Sequence, residues 1–466
     1  MYLKIVEFVL VFSVMFLIVS CNNNNVSDKE FTGANQEVKL MTLDPGHFHA
    51  ALVQKNQYAQ VSPVVNIFAP ESDDLKGHLA RIEGFNSRSE NPTNWESKLY
   101  TGSDYLERMI SEKPGNVMIT SGKNNKKIEY ITAAINAGIN VLADKPMCVD
   151  KEGFETLIKT FEVAKKNDVL LYDIMTERSE ITTILQKELI EIPEVFGTII
   201  KGSLENPAVV KSSVHHFFKY VAGKPLKRPD WFFDSKQQGD GLVDVTTHLV
   251  DLVQWELFPG QILDYKTDVE INEPKHWPTN LTLEQFSNVT KMDEFPDFFK
   301  SQIKDNVLPV YCNGEINYKL KGIQAKVVVE WKYQAPEGGG DTHYSVIRGT
   351  KSNIIIKQGK EQNYKPELYV EANEGINKEE FNKQLNGSVT KLQNKYPGIA
   401  VEKENDNWHI IIPDKYRIGH EAHFGQVMER YLDYLVAGEL PNWEVPNMIA
   451  KYYTTTKALE MAQAKN

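Results

Sequence analysis

Apolar and polar positions along this chain follow two different rhythms, and the change falls near residue 176. Before it, short apolar runs recur at 38–43, 64–69, 116–120, 140–143 and 169–173, each bounded by turn formers, the pattern of buried strands. Between them, 49–60, 124–137 and 151–166 repeat apolar residues every three or four positions, the helical period. Strands alternating with helices of this length predict a parallel, doubly wound sheet. Such sheets bind ligands beyond the carboxyl ends of their strands. Asp44, Glu71, Ser121 and Lys145 each follow a predicted strand, so all four are expected at that edge.

After residue 176 the pattern changes. Residues 181–190 and 242–255 read as helices, and 197–203 begins a strand. Two long alternating segments, 314–331 and 343–357, predict antiparallel strands around a Gly-rich turn at 337–340. The charged stretch 374–395 reads as a peripheral helix or loop, and 420–437 and 447–464 as closing helices separated by Pro441. The expected fold class is α/β. A parallel doubly wound unit over 37–175 precedes an α+β unit over 176–466, built on a large open antiparallel sheet.

Composition and the first residues narrow the setting. The formal net charge of -11 argues against a nucleic-acid partner. Residues 8–19 are apolar but too short to span a bilayer, and they suit the core of a signal peptide. The run Leu17-Ile18-Val19-Ser20-Cys21 resembles a bacterial lipobox, with an ordinary secretory signal as the alternative. Residues 1–20 are therefore expected to be removed, Cys21 to be acylated and 21–36 to act as a tether. Membrane contact would be through that lipid alone, with the protein exported and facing the periplasm or the cell exterior. Beyond Cys21 only Cys148 and Cys312 remain, both in apolar contexts that fit buried thiols.

Candidate chemistry concentrates between Arg228 and Asp251. Asp244 and His248 stand four apart, on one face if the segment is helical. A carboxylate beside an imidazole can hold a general base in one tautomer. Asp144-Lys145-Pro146 supplies an ammonium at the end of a predicted strand. His215 and His216, followed by Phe217 and Phe218, together with Trp231, Phe232 and Phe233, suit either a platform for sugar rings or core packing. The histidines of His420-Glu421-Ala422-His423 are three apart, one residue short of the zinc-protease spacing. A metal shared by His215, Asp244 and His248 is a minor alternative, and no metal is expected.

These elements together resemble the Gfo/Idh/MocA family, the glucose–fructose oxidoreductase and inositol dehydrogenase group. The family's Glu-Lys-Pro after the fifth strand of its Rossmann unit is matched by Asp144-Lys145-Pro146, preceded by Ala137-Gly138-Ile139-Asn140-Val141. Its Trp–Asp–Gly-Gly-Gly–Asp–His pattern is matched by Trp231, Asp234, Gly239-Asp240-Gly241, Asp244 and His248, and its ending by His423-Phe424 and Gly438-Glu439-Leu440-Pro441. The resemblance covers nearly the whole chain apart from an insertion near 259–306. It implies an NAD-dependent oxidoreductase acting on a sugar or glycoside hydroxyl. In it His248 would be the base, Asp244 would orient the imidazole, and Lys145 would bond the reacting oxygen. Tyr172, Glu177, Arg178, His215, Trp231 and Asp234 would line the substrate cleft.

The dinucleotide fingerprint departs from the family. Aligning His49-Ala50 places Gly46 at the third glycine and Met41 and Leu43 at the first two. Asp44 brings negative charge toward the phosphates, and Pro45 removes an amide donor. His47 and His49 are candidate replacement donors or satisfied core residues. Asp44, Gly46, His47, Glu71, Ser121, Asn124 and Lys145 form the expected cofactor set, with Glu71 favouring NAD over NADP. An exported enzyme cannot draw on cytoplasmic NAD, so the cofactor would be tightly held and recycled within turnover, or reoxidised by an external acceptor. Two alternatives stand beside net oxidation: NAD-dependent glycoside cleavage by oxidation and elimination, and a non-catalytic carbohydrate-binding lipoprotein. A homodimer or tetramer through the open sheet is also compatible with the sequence.

Overall fold

The computed structural model describes residues 31–221 and 224–465, so the expected signal peptide and Cys21 lie outside the described residues. The first unit runs β1 (Leu40–Leu43), α1 (His49–Leu52), β2 (Val64–Ala69), α2 (Asp73–Ser87), β3 (Glu96–Thr101), α3 (Tyr105–Glu112), β4 (Val117–Thr120), α4 (Asn124–Asn136), β5 (Asn140–Asp144), α5 (Lys151–Lys166) and β6 (Leu171–Ile174). Its six strands lie in the order β3-β2-β1-β4-β5-β6, all parallel. This is the doubly wound arrangement, with the order reversing between β1 and β4. β1, β4 and β5 are buried at every position, as strands covered by helices on both faces must be. α5 starts where the Asp150 side chain accepts a hydrogen bond from Gly153 N at 2.7 Å.

The second unit contains α6 (Ile181–Ile190), β7 (Val209–Phe218), the two-residue strands β8 (Tyr220–Val221) and β9 (Lys224–Pro225), α7 (Ser235–Gln238) and α8 (Thr246–Leu257). It continues with β10 (Val269–Thr282), α9 (Leu283–Thr290), β11 (Val307–Leu320), β12 (Ile323–Gln334), β13 (Thr342–Arg348), β14 (Ser352–Gln358) and β15 (Glu367–Ala372). α10 (Lys378–Leu392), β16 (Ala400–Glu404), β17 (Asn407–Ile411), α11 (His420–Ala437) and α12 (Glu444–Gln463) complete it. Nine strands form one mixed sheet in the order β10-β11-β12-β7-β13-β14-β15-β17-β16. α6, α8 and α12 pack on this sheet. Burial alternates along β12, which leaves the opposite face partly open.

Several expectations are corrected. The helix expected over 49–60 ends at Leu52 in i→i+3 turns, because Val61 pairs with Val38 and draws the chain out of the helix. Each long alternating segment is a hairpin rather than one strand. β11 and β12 turn at Lys321 and Gly322, whose φ values of 48° and 78° suit a two-residue hairpin turn. The strands on either side of the Gly-rich turn do not pair with each other. β7 lies between them, parallel to β12 and antiparallel to β13. The stretch near 259–306 contributes the edge strand β10 and α9. α11 does not join the second core: Phe424, Val427, Met428 and Tyr431 bury in the core of the first unit.

Gly241 holds the approach of the Gly239-Asp240-Gly241 turn to β11. A Cβ there would meet the carbonyl carbon and oxygen of Cys312 at 2.4 Å, backbone that cannot swing aside. Gly241→Ala is expected to cost about 1–3 kcal/mol of stability. Chemical denaturation checks this, and a cost near zero would mean the turn can move.

Candidate active site

A cleft of about 1140 Å³ opens at the carboxyl ends of β1 and β5 and is walled on its other side by the second unit. Lys145, Asp244 and His248, the three residues expected to carry catalysis, all line it. Lys145 Nζ donates to Asp244 Oδ1 at 2.7 Å, and Gln238 Nε2 donates to Asp244 Oδ2 at 3.0 Å. Burial raises the Asp244 carboxyl, but Lys145 and Gln238 outweigh it and hold it below its ordinary value. Asp244 is therefore the counter-ion of Lys145.

This corrects the expected role of Asp244 toward His248. Both oxygens of Asp244 accept from other groups, and His248 Nδ1 has no hydrogen-bond partner. Asp244 lies in the turn before α8, and His248 on the helix itself, so spacing by four did not produce a contact. Burial first, and the nearby Lys145 charge second, push the His248 imidazole down to about 3. It is therefore neutral at physiological pH.

The remaining expected residues separate into two groups. His47, Asn124 and His215 line the cleft. Asn124 Nδ2 donates to Gln238 O at 2.5 Å, which joins the start of α4 to α7. His215 faces Ser213 Oγ at 2.9 Å and lies 3.6 Å from Asp341 Oδ2, so no ligand set joins it to Asp244 and His248. Tyr172 and Arg178, expected in the cleft, are buried and do not line it. The Arg178 guanidinium pairs with Asp251 at 2.7 Å and with Glu444 at 2.9 Å, and Tyr172 Oη donates to Glu444 at 3.3 Å. Asp234 caps α7 by accepting from Lys236 N at 3.1 Å. Trp231 is buried and donates to Asp74 Oδ2 at 2.9 Å, so it is no stacking platform for a sugar. Most of the aromatic cluster, Phe217, Phe232 and Phe233 included, is core.

In the loop after β1, where the resemblance places a dinucleotide, the backbone donors have internal partners. Asp44 N donates to Phe68 O, Gly46 N to Asp44 O, His47 N to Ser121 O and His49 N to His47 Nδ1, while Pro45 has no amide proton. These donors are spent inside the protein. The Trp231 indole lies over Gly46, where an added Cβ would meet its Cζ2 at 3.2 Å. Burial raises the Asp74 carboxyl, the bond from Trp231 and the Lys123 charge lower it, and the negative charges of Asp44 and Asp230 raise it by lesser amounts. Those charges oppose a pyrophosphate. Asp44, Gly46, Glu71 and Ser121 do not line the cleft, and Glu71 is exposed. The residues present do not fit a dinucleotide laid along the usual path.

Sequence reading missed two contributors, Lys127 and Gln238. Lys127, buried on α4, donates to the carbonyls of Asp144 and Lys145 at 2.8 and 2.9 Å and so fixes the backbone that carries the site. Gln238 completes the Asp244 carboxylate. Glu177, placed in the cleft as expected, pairs with His420 Nδ1 at 3.3 Å from α11. Neither Lys127 nor Gln238 belongs to a short motif with a recognisable spacing.

A doubly wound unit joined to an open mixed sheet, with an ammonium, carboxylate and imidazole in the cleft, defines an oxidoreductase-type enzyme. Residues 185–463 match the family described as "Putative oxidoreductase C terminal domain". A crystal structure of a "putative oxidoreductase" from Parabacteroides merdae is similar at 58% identity, covering 94% of this chain and 100% of that one, with a TM-score of 0.92. The chain belongs to this Gfo/Idh/MocA-type oxidoreductase family. More distant folds include levoglucosan dehydrogenase with NADH, at 14% identity, 92% and 97% coverage and a TM-score of 0.57. Biliverdin reductase from Synechocystis sp. with biliverdin and NADP+ is similar at 11% identity, 91% and 99% coverage and a TM-score of 0.53. No curated protein matches the chain.

Proposed function

We propose that this enzyme acts on a hydroxyl-bearing carbon of a sugar or glycoside held in the cleft between the two units. The observation that carries this reading is the Lys145–Asp244 contact of 2.7 Å, with His248 opening on the same cleft. His248, neutral and lining the cleft, accepts the hydroxyl proton at Nε2, its Nδ1 being buried. Lys145, held in place by Asp244, donates to the reacting oxygen and stabilises charge that develops there. Lys145 and Asp244 are both buried, which strengthens the interaction between their charges.

Oxidation also needs a two-electron acceptor, and the resemblance implies NAD. Because the loop does not fit the pyrophosphate, the chain's residues account only for the proton half of the reaction. The test is to incubate the purified protein with a panel of sugars and glycosides, with and without NAD, and to follow products by mass spectrometry. A product lacking two hydrogens is expected. Cleavage of the glycosidic bond instead would assign the oxidation–elimination route, and absence of both turnover and sugar binding would refute the reading.

A further inference from the structure

The loop that fails as a phosphate cradle brings together a different set of donors. His47 and His49 follow β1, and Asp144 closes β5, so the sheet delivers all three to one edge. His49 Nδ1 lies 3.0 Å from Asp144 Oδ2, and His47 Nδ1 lies 4.0 Å from the same oxygen. One ligand atom from each residue falls within 4.8 Å of the others, and among the described residues this is the group of histidine and carboxylate side chains so arranged. A tetrahedral ion with bonds of roughly 2.0–2.1 Å needs ligand atoms about 3.3 Å apart. The two observed separations bracket that value, so small side-chain rotations would close the site, with His47 Nδ1 giving up the 3.4 Å bond it accepts from His49 N.

Two further features favour an ion over a simple hydrogen bond between His49 and Asp144. Ser121 Oγ donates to Asp144 Oδ2 at 2.7 Å, the kind of outer contact that orients a ligating carboxylate. All three candidate ligands also line the cleft, beside Lys145 and His248, so a fourth position would face the substrate. Two imidazoles and one carboxylate suit a divalent transition metal, with zinc and manganese both compatible.

We propose that His47, His49 and Asp144 bind one divalent transition-metal ion, with an oxygen of the cleft's substrate or a water completing its coordination. Binding requires both imidazoles to present a lone pair, so affinity falls as pH drops and protons compete. The site does not depend on the reaction proposed above.

The test is elemental analysis of the full chain purified without chelators, followed by titration of the stripped protein with Zn²⁺ and Mn²⁺. A single equivalent is expected, and it should be lost in His47→Ala and in His49→Ala. Ser121→Ala is expected to weaken binding by about 10–100-fold. Circular dichroism of each variant separates lost ligation from lost folding, and His49→Gln gives a second, more conservative variant. Metal-free protein that takes up neither added ion would overturn the proposal. So would binding that both histidine variants retain. A bound dinucleotide without metal would overturn it while leaving the carbohydrate reading intact.

Discussion

His248→Ala is expected to lower turnover about 10²–10⁴-fold while leaving stability nearly unchanged, because proton transfer by a positioned side chain contributes that much. The small effect on stability follows from its surroundings. His248 Nδ1 has no partner, so truncation strands no donor or acceptor that depends on it. Turnover and denaturation together check the claim. A turnover loss matched by a comparable loss of stability would make His248 a packing residue. Lys145→Met provides a second readout. It removes the positive charge that, after burial, depresses the imidazole, so the His248 value should rise from about 3. A base is active when unprotonated. The acid limb of the pH–rate profile should therefore move to higher pH in the variant, and an unmoved limb would exclude coupling between the two groups.

The parts of the fold that could be read from the sequence are those where burial writes a simple pattern. β1, β4 and β5 are covered on both faces, so each is a continuous apolar run. α2 and β3 gave no such signal. α2 buries only Leu75, His78 and Ile82, and four of the six residues of the edge strand β3 are exposed. The hairpins merged because alternation continues through the turn at Lys321-Gly322, and a polar two-residue turn does not interrupt period two.

At the site, the motif around Asp144-Lys145-Pro146 located the ammonium, but motif order does not reveal direction. Tyr172 lies within β6 and Arg178 follows it, yet their partners come from α8 and α12. Asp144 was read only as the neighbour of Lys145. Its meeting with His49, 95 residues earlier, needed the sheet order to become visible. The same order explains why Asp244 serves Lys145: β5 ends opposite the turn before α8, whereas His248 is a full helical turn further on.

Arg178→Met is expected to destabilise the protein by about 3–5 kcal/mol, the cost of leaving a buried ion without its partner. The guanidinium makes two contacts of 2.7 Å with Asp251 and further contacts of 2.9 and 3.1 Å with Glu444. Lys451 extends the network, donating to Asp251 at 2.9 Å and pairing with Asp173 at 2.7 Å. These residues sit on β6 and the connection after it, on α8 and on α12, so the network ties the first sheet to the helices that back the second. Burial raises the Asp251 carboxyl, but Arg178 and then Lys451 outweigh it and hold it well below its ordinary value. A depressed carboxyl stabilises the fold above the unfolded pKa of about 3.9, and that contribution is lost as pH falls toward the folded value. Wild-type stability should therefore decline below about pH 4, with a shallower decline in Arg178→Met, where Asp251 is less depressed. Urea denaturation across this range measures both effects. A cost under about 1 kcal/mol would place Arg178 with ordinary surface ion pairs and remove the network as the clamp between the units.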